Sequence, residues 1–367
     1  MIKFQFKFFV LILSYFFPLS AQVKFLTPQI PFNPRTYVCV KASSDIIVDG
    51  DLIESEWEKI KWTDSFVDIE GHLKPQPRFQ TRVKMLWDEN YFYIGAQLEE
   101  PNLWATLQQR DTVIYQDNDF EVFLDPDGDS HLYYELEINA LNTVWDLLLI
   151  KPYRDGGPAI NSWDISGLKS AVHLNGSLNE TSDIDSGWTI ELAIPWAVLS
   201  ECAGKNTPPS PGDYWRINFS RVEWKTEVVH NKYQKIVDER GNNLPEDNWV
   251  WSPQGLVNMH YPEMWGFVLF SDESDFFAAE DFNLPDIEKI KWSLRQVYYF
   301  QKKYFAANSR FAEKNEIQNE TKFLGLDFIN AIHFTIAQKS FEVIYQQIKS
   351  AEVIKIDETG KISTFFR

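Results

Sequence analysis

The 367-residue chain is poor in the residues that build metal and nucleophile sites: it has two cysteines, four methionines and six histidines. Two sulfurs with no nearby histidine pair make no zinc site. The histidines, among them His72, His131, His173 and His260, do not cluster at metal-ligand spacing. Neither Gly-x-Ser-x-Gly nor His-Glu-x-x-His occurs, which removes the nucleophile elbow and the zincin helix. Basic residues are also short, 35 Lys and Arg against 53 Asp and Glu, for a net charge of -18. Such a surface repels phosphates, so nucleic acid and anionic membrane surfaces are excluded as partners. A neutral or a cationic ligand is compatible.

Long apolar runs are equally scarce. The one candidate, Phe8 to Phe17, follows Lys3 and Lys7 and precedes the small residues Leu19-Ser20-Ala21. That pattern is a secretory signal over residues 1-21. It is shorter than the ~20 apolar residues of a membrane span, and no other segment could form a transmembrane span. No cysteine follows the run, so no lipid anchor is expected at this end. The protein is therefore expected to be exported: periplasmic, outer-membrane-associated or secreted. In such a compartment Cys39 and Cys202 either form one disulfide or stay as two buried free thiols.

Aromatic residues are abundant, with 14 Trp, 15 Tyr and 28 Phe. They serve large β cores, and they also serve sugars, whose C-H faces stack on rings. Residues 22-36 are Pro-rich and polar, a linker or leading arm. Val38 to Lys41 is β-prone, and Asp49-Gly50-Asp51 marks a turn. Glu54 to Trp57 reads as one helical turn that tucks Trp57 inward. Thr81 to Trp87 and Tyr91 to Leu98 alternate with period two around Asp88-Glu89-Asn90, a hairpin. Phe120 to Leu124, Tyr133 to Asn139, Val144 to Ile150, Lys169 to Leu174, Gly187 to Ala193, Tyr214 to Arg221 and Gly266 to Phe270 continue the series. Pro195 to Leu199 reads as a short helical turn. Many strands without interleaved long helices mean a sandwich or barrel, not a parallel α/β sheet.

Composition shifts near residue 275. Leu284 to Phe305 has helical apolar spacing, with Pro285 near its start. Residues 306-325 are polar and poorly patterned. Phe341 to Ile354 and Lys361 to Phe366 read as strands joined at Glu358-Thr359-Gly360. The expected organisation is a β body over 37-274 and an α+β tail over 275-367.

Within 37-271 a series of blocks stands in a telling order: Ile47-Val48-Asp49-Gly50 with Trp57, Val83 to Tyr93, Asp117 to Asp125, Tyr134 to Ala140, Gly187 to Trp196, Trp215 to Arg221, and Trp251-Ser252-Pro253 through Trp265-Gly266. This order resembles carbohydrate-binding module family 9, within the DOMON-like superfamily. The resemblance implies an all-β fold, an antiparallel β-sandwich of about ten strands, here with a C-terminal α+β extension. It also implies bound structural calcium and a slot that grips an oligo- or polysaccharide between two aromatic side chains, without cleaving it and in aid of polysaccharide degradation. Position by position, the first stacking residue falls on Tyr115 and the strand glutamate on Glu121. The family arginine falls on Glu137, a departure. The second stacking tryptophan falls near Met259, so its role would pass to His260 or Tyr261.

Sugar hydroxyls want a ring to stack on and paired polar partners. Tyr115, Glu121, Glu137, Arg110 and Tyr261 could form such a set. The plain alternative for the two glutamates is solvated strand faces, and for Tyr115 a core or rim ring. Trp87, Trp188 and Trp215 sit in strand patterns and are expected in the core. Asp125, Asp127 and Asp129 place three carboxylates in five residues, a calcium loop or a plain hairpin turn. Asp117, Asn118 and Asp119 are a second oxygen cluster. The competing readings are a partner-binding sandwich without a slot, a glycosidase, and a haem domain held by Met85 or Met259 with His131 or His260.

Overall fold

The computed structural model describes residues 25-272, 283-321, 324, 326-346 and 352-366. Residues 1-21, expected to form a secretory signal, and the composition boundary near 275 lie outside them.

Fifteen strands precede that boundary: β1 (Thr36–Lys41), β2 (Val67–Asp68), β3 (Thr81–Trp87), β4 (Tyr91–Leu98), β5 (Asp119–Asp125), β6 (Tyr133–Asn139), β7 (Val144–Leu149), β8 (Ala159–Ile160), β9 (Lys169–Asn175), β10 (Gly187–Pro195), β11 (Tyr214–Glu223), β12 (Thr226–Val229), β13 (Lys232–Lys235), β14 (Asp247–Val250) and β15 (Gly266–Ser271). One hydrogen-bonded path runs β8-β7-β6-β5-β11-β15-β1-β3-β4-β10-β9. It curls so that its two halves face each other across a common core, giving an all-β sandwich. The pairings are antiparallel except around β1, which runs parallel to both β15 and β3.

Strict alternation makes the core. Val83, Met85 and Trp87 on β3 meet Phe120, Val122 and Leu124 on β5 and Trp215, Ile217 and Phe219 on β11. The expected core tryptophans Trp87, Trp188 and Trp215 are all buried there. Cys39 is buried in this core, whereas Cys202 is partly accessible; both are free thiols, which excludes the disulfide. The helical turn α1 (Ser55–Glu58) does tuck Trp57 inward, where its indole N-H donates to Glu191 at 2.7 Å.

Several short elements escaped the pattern reading. The β12-β13 ribbon turns at His230 and Asn231, both at positive φ, as a tight two-residue turn demands. In the tail, α3 (Asp286–Asn308) follows the helical turn α2 (Trp196–Leu199) in chain order and matches its expected span. The stretch called polar holds α4 (Lys314–Glu320), whose only buried side chain is Ile317, too little for periodicity to register. A reciprocal capping box between Glu313 and Glu316 sets its start. α5 (Leu326–Ala331) leads into a four-stranded sheet of β16 (Ile332–Ile336), β17 (Phe341–Gln346), β18 (Glu352–Asp357) and β19 (Ile362–Phe366). The single strand expected over 341-354 is thus two, β17 and β18. No helix among the described residues is long and apolar enough to cross a membrane.

The tail packs on the sandwich through buried charge. Arg216 on β11 reaches Glu288 on α3 at 2.7 Å. Glu263, paired with Arg154 in the sandwich at 2.9 Å, accepts from the Tyr299 hydroxyl of α3, and Arg295, which also donates to Gly360 O within the tail, donates to Ser130 Oγ at 2.9 Å. The leading arm joins the same cluster: Phe32 stacks on Trp292 with ring centroids 4.6 Å apart.

Breaking one partner of a buried pair strands the other charge, at a cost of about 3–5 kcal/mol. Arg216→Ala is therefore expected to lower unfolding stability by roughly that amount, and the double variant Arg216→Met/Glu288→Met to recover most of it. Urea denaturation of the four members of the cycle measures both.

Candidate functional site

Alternation gives β5, β6 and β11 a second face. It carries Asp119, Glu121 and Asp125 on β5, Glu135, Glu137 and Asn139 on β6, and Arg216, Asn218 and Ser220 on β11. A face so polar would ordinarily lie in water. Here all nine side chains are buried, because the loop over 251-265 and the tail cover most of it. Phe123, Tyr133, Met259 and Trp265 form the lid's apolar contact.

The uncovered part is an open recess of about 540 Å³. Glu121, Glu135 and Glu137 line one wall, with Glu121 and Glu137 directly paired across β5 and β6. Tyr115, Trp145 and Tyr153 supply rings, and Glu246, Asn248 and Asn258 add polar edges. Tyr115, 37% exposed, sits on a single helical turn over 114-116. Its amide donates to Glu137 Oε2 at 2.9 Å, and its carbonyl accepts from the Trp224 indole at 2.8 Å. The ring is thus held at the mouth by its own backbone.

The structure brings Tyr115, Glu121, Glu137 and His260 together in this recess. It does not bring Arg110 or Tyr261 there. Arg110 pairs with Asp146 and lies 3.3 Å from Asp164. Tyr261 is buried behind the lid, its hydroxyl donating to Leu26 O at 2.9 Å and its ring covered by the Arg154 guanidinium. Glu135, Trp145, Tyr153 and Glu246 escaped the sequence reading. Glu135 stands two residues before Glu137 on one strand, so period two alone places them on one face.

The recess is electrostatically strained. Glu121 is pushed up to about 7 by burial, reinforced by the nearby Glu246. Burial and the neighbouring Glu121 also raise Glu135 and Glu137. One oxygen each from Asp119, Glu121 and Glu137 lie within 4.8 Å of one another, close enough to share one positive charge. Glu135 Oε2, Asp119 Oδ2 and Trp145 Nε1 are buried without a hydrogen-bond partner. His260 is held down at about 3 by burial and by Arg154, so its ring is neutral; its Nδ1 lies 2.9 Å from the Tyr133 hydroxyl.

The Asp-rich turn joins β5 to β6 on the tail side, away from this mouth. Asp125, Asp127 and Asp129 each bring an oxygen within 4.8 Å of the others. Burial and the two neighbouring aspartates raise Asp125, and burial with Asp129 raises Asp127 to about 6. Lys361, 3.1 Å from Asp129, meets this charge directly, and Arg216 acts on Asp125. Hard carboxylate oxygens in surplus suit calcium, although backbone amides of Gly128, Ser130, Asp129 and His131 already occupy some of them. The second expected oxygen cluster divides. Asp117 is spent on Thr106, Leu107 and Asn139, Asn118 on Trp224 and Glu100, and Asp119 faces the glutamates. Of the methionines weighed for haem, Met85 is sealed in the core while Met259 edges the recess.

A two-layer β body with one ring-edged, carboxylate-walled recess defines a ligand-binding sandwich. The family model for "Carbohydrate family 9 binding domain-like" matches residues 48–266, and the chain belongs to that family. It is 27% identical over 121 residues to endo-1,4-beta-xylanase A of Thermoanaerobacterium saccharolyticum, and 27% identical over 117 residues to exoglucanase XynX of Acetivibrio thermocellus. These stretches are 33% and 32% of this chain, and only 9% of either relative. A carbohydrate binding module family 9 from Caldicellulosiruptor kristjanssonii in complex with cellotriose is covered in full by 68% of this chain, at 16% identity and a TM-score of 0.43.

The raised Glu121 makes stability depend on pH. The unfolded chain releases this proton near 4.5 and the folded one only near 7. Folding stability from this group is therefore intact at low pH and is lost as pH rises through that window. Glu121→Gln should gain stability relative to the native protein by roughly 2–3 kcal/mol between about pH 5 and about pH 8. Denaturant melts at the two pH values check it.

Proposed function

We propose that the recess binds a saccharide and that the chain is an exported, non-catalytic carbohydrate-binding protein serving polysaccharide breakdown. The observation that carries this is the half-exposed Tyr115 ring standing beside the buried Glu121–Glu135–Glu137 wall in an open recess. The ring offers a stacking face for the C-H side of a sugar, and the carboxyls and amides hold its hydroxyls. Family membership supports the same reading. Export rests on the apolar run after Lys3 and Lys7, and a role in breakdown on the xylanase and exoglucanase in which the matching segment occurs.

Cleavage of a glycosidic bond calls for two carboxyl groups flanking it from opposite sides. Glu121 and Glu137 instead stand side by side on neighbouring strands of one wall. That arrangement favours grip without hydrolysis. A calcium ion in the Asp125–Asp127–Asp129 turn would neutralise three crowded carboxylates and brace the β5-β6 hairpin against the tail.

A glycan array followed by isothermal titration is expected to find a binding saccharide. Tyr115→Ala should weaken it about 10-fold with little change in melting temperature, and no reducing sugar should be released. An array blank on every glycan, or steady release of reducing sugar, would overturn the reading. For the metal, added calcium should raise the melting temperature relative to a chelator, and Asp125→Asn should abolish that response. A melting curve indifferent to both calcium and chelator rules the ion out.

A further inference from the structure

The lining of the recess is one-sided in charge. Four glutamates, Glu121, Glu135, Glu137 and Glu246, line it, and no lysine or arginine does. The nearest cations are already taken. Arg154, behind His260, is held by Asp155 and Glu263, and Lys235 lies over the Trp224 ring and against Gln116. His260, the one other titratable nitrogen at the site, is neutral at ordinary pH.

The wall is also unfinished. Glu135, only 6% exposed, has an oxygen with no partner, and it faces the recess. Asp119, fully buried beside Glu121 and Glu137 and outside the recess lining, has a second such oxygen. A buried acceptor left unmet is costly, more so when it is charged, so the Glu135 oxygen at the recess is poised for a donor from a ligand. Neutral hydroxyl donors satisfy the hydrogen bonds and leave the raised carboxyls holding their protons. An ammonium brings up to three N-H donors and a positive charge that favours the ionised carboxylates. The rings point the same way. Tyr115, Trp145 and Tyr153 line the recess, and aromatic faces attract cations through the ring quadrupole. Carboxylates and aromatic faces share no other small ligand so well as a protonated amine.

We infer that the recess is built for a protonated amine, and that the saccharide it takes is an amino sugar with a free amino group. This rests on the saccharide reading of the same recess. Uronates and sulfated sugars bring a further anion to a wall whose crowded carboxyls already resist ionisation. N-acetylated sugars lose the charge that the wall is arranged to meet. Binding of the amine draws the raised glutamates into their ionised form, so protons leave as the ligand enters.

The test is isothermal titration of the full chain with three trisaccharides: the glucosamine trimer, its N-acetylated form and cellotriose. The glucosamine trimer should bind about 10-fold more tightly than either neutral trimer, which corresponds to about 1.4 kcal/mol. Its advantage should shrink when salt is raised to about 0.5 M, and in Glu135→Gln. Glu246→Gln, at the partly exposed edge, reads the same loss should Glu135→Gln fail to fold. Equal or tighter binding of cellotriose or the acetylated trimer overturns the amine inference and leaves the saccharide reading standing. Calcium binding to the protein that Glu135→Gln abolishes would assign the charge to a metal ion and overturn the inference as well. If none of the trimers binds, and the array is blank, both fall.

Discussion

The β5-β6-β11 layer of this sandwich is buried on both sides, and only one side is apolar. The inner face follows the ordinary rule, with Phe120, Leu136 and Phe219 in the common core. The outer face puts Glu121, Glu135, Glu137, Asp125 and Arg216 under cover. Taking charges out of water is costly unless each finds a partner. Where partners exist, as for Arg216 with Glu288, the covering element is pinned by an ion pair. Where they do not, as at Glu135, the chain leaves an opening. The recess and the docking of the tail are two outcomes of the same constraint.

The ion pairs are arranged by depth. Arg154 and Glu263 sit behind the lid residue His260, and Arg154 also depresses the basicity of that ring. The recess thus keeps a neutral imidazole beside its acidic wall, and the lid loop stays attached through the same guanidinium, which donates to the His260 carbonyl at 3.1 Å. Charge compensation in the second layer sets the electrostatic character of the first.

How much of this could be read beforehand depended on what each signal encodes. Period-two alternation reports that strands have two faces, and it located β3 to β7, β10, β11 and β15 well. It does not report whether the second face is covered. Glu121 and Glu137 were visible as outward carboxylates, and nothing in the strands themselves said that residues 251-265 would fold over them. Arg110 looked suited to sugar hydroxyls by its chemistry, and it is spent on Asp146, thirty-six positions away. Tyr261 carries the right ring in the right loop, but the leading arm takes its hydroxyl. Short elements such as α4 and the β12-β13 ribbon bury too little for a pattern to show, and they are set by capping and turn geometry instead.

The arm before β1 and the extension after β15 meet on the same patch, where Phe25 and Phe32 lie among Trp292, Tyr298 and Tyr299. The family match ends at 266, yet the hydrophobic cluster beneath the lid draws Leu256, Tyr261 and Met264 from inside that span and Leu294, Val297 and Ile356 from beyond it. A fragment trimmed to the matched span would keep the rings and the glutamates and lose the wedge that presses the lid down on them. In this protein the module and its appendage share one hydrophobic cluster, so a loosened tail is felt at the lid and the two would have to be swapped or engineered as a single piece.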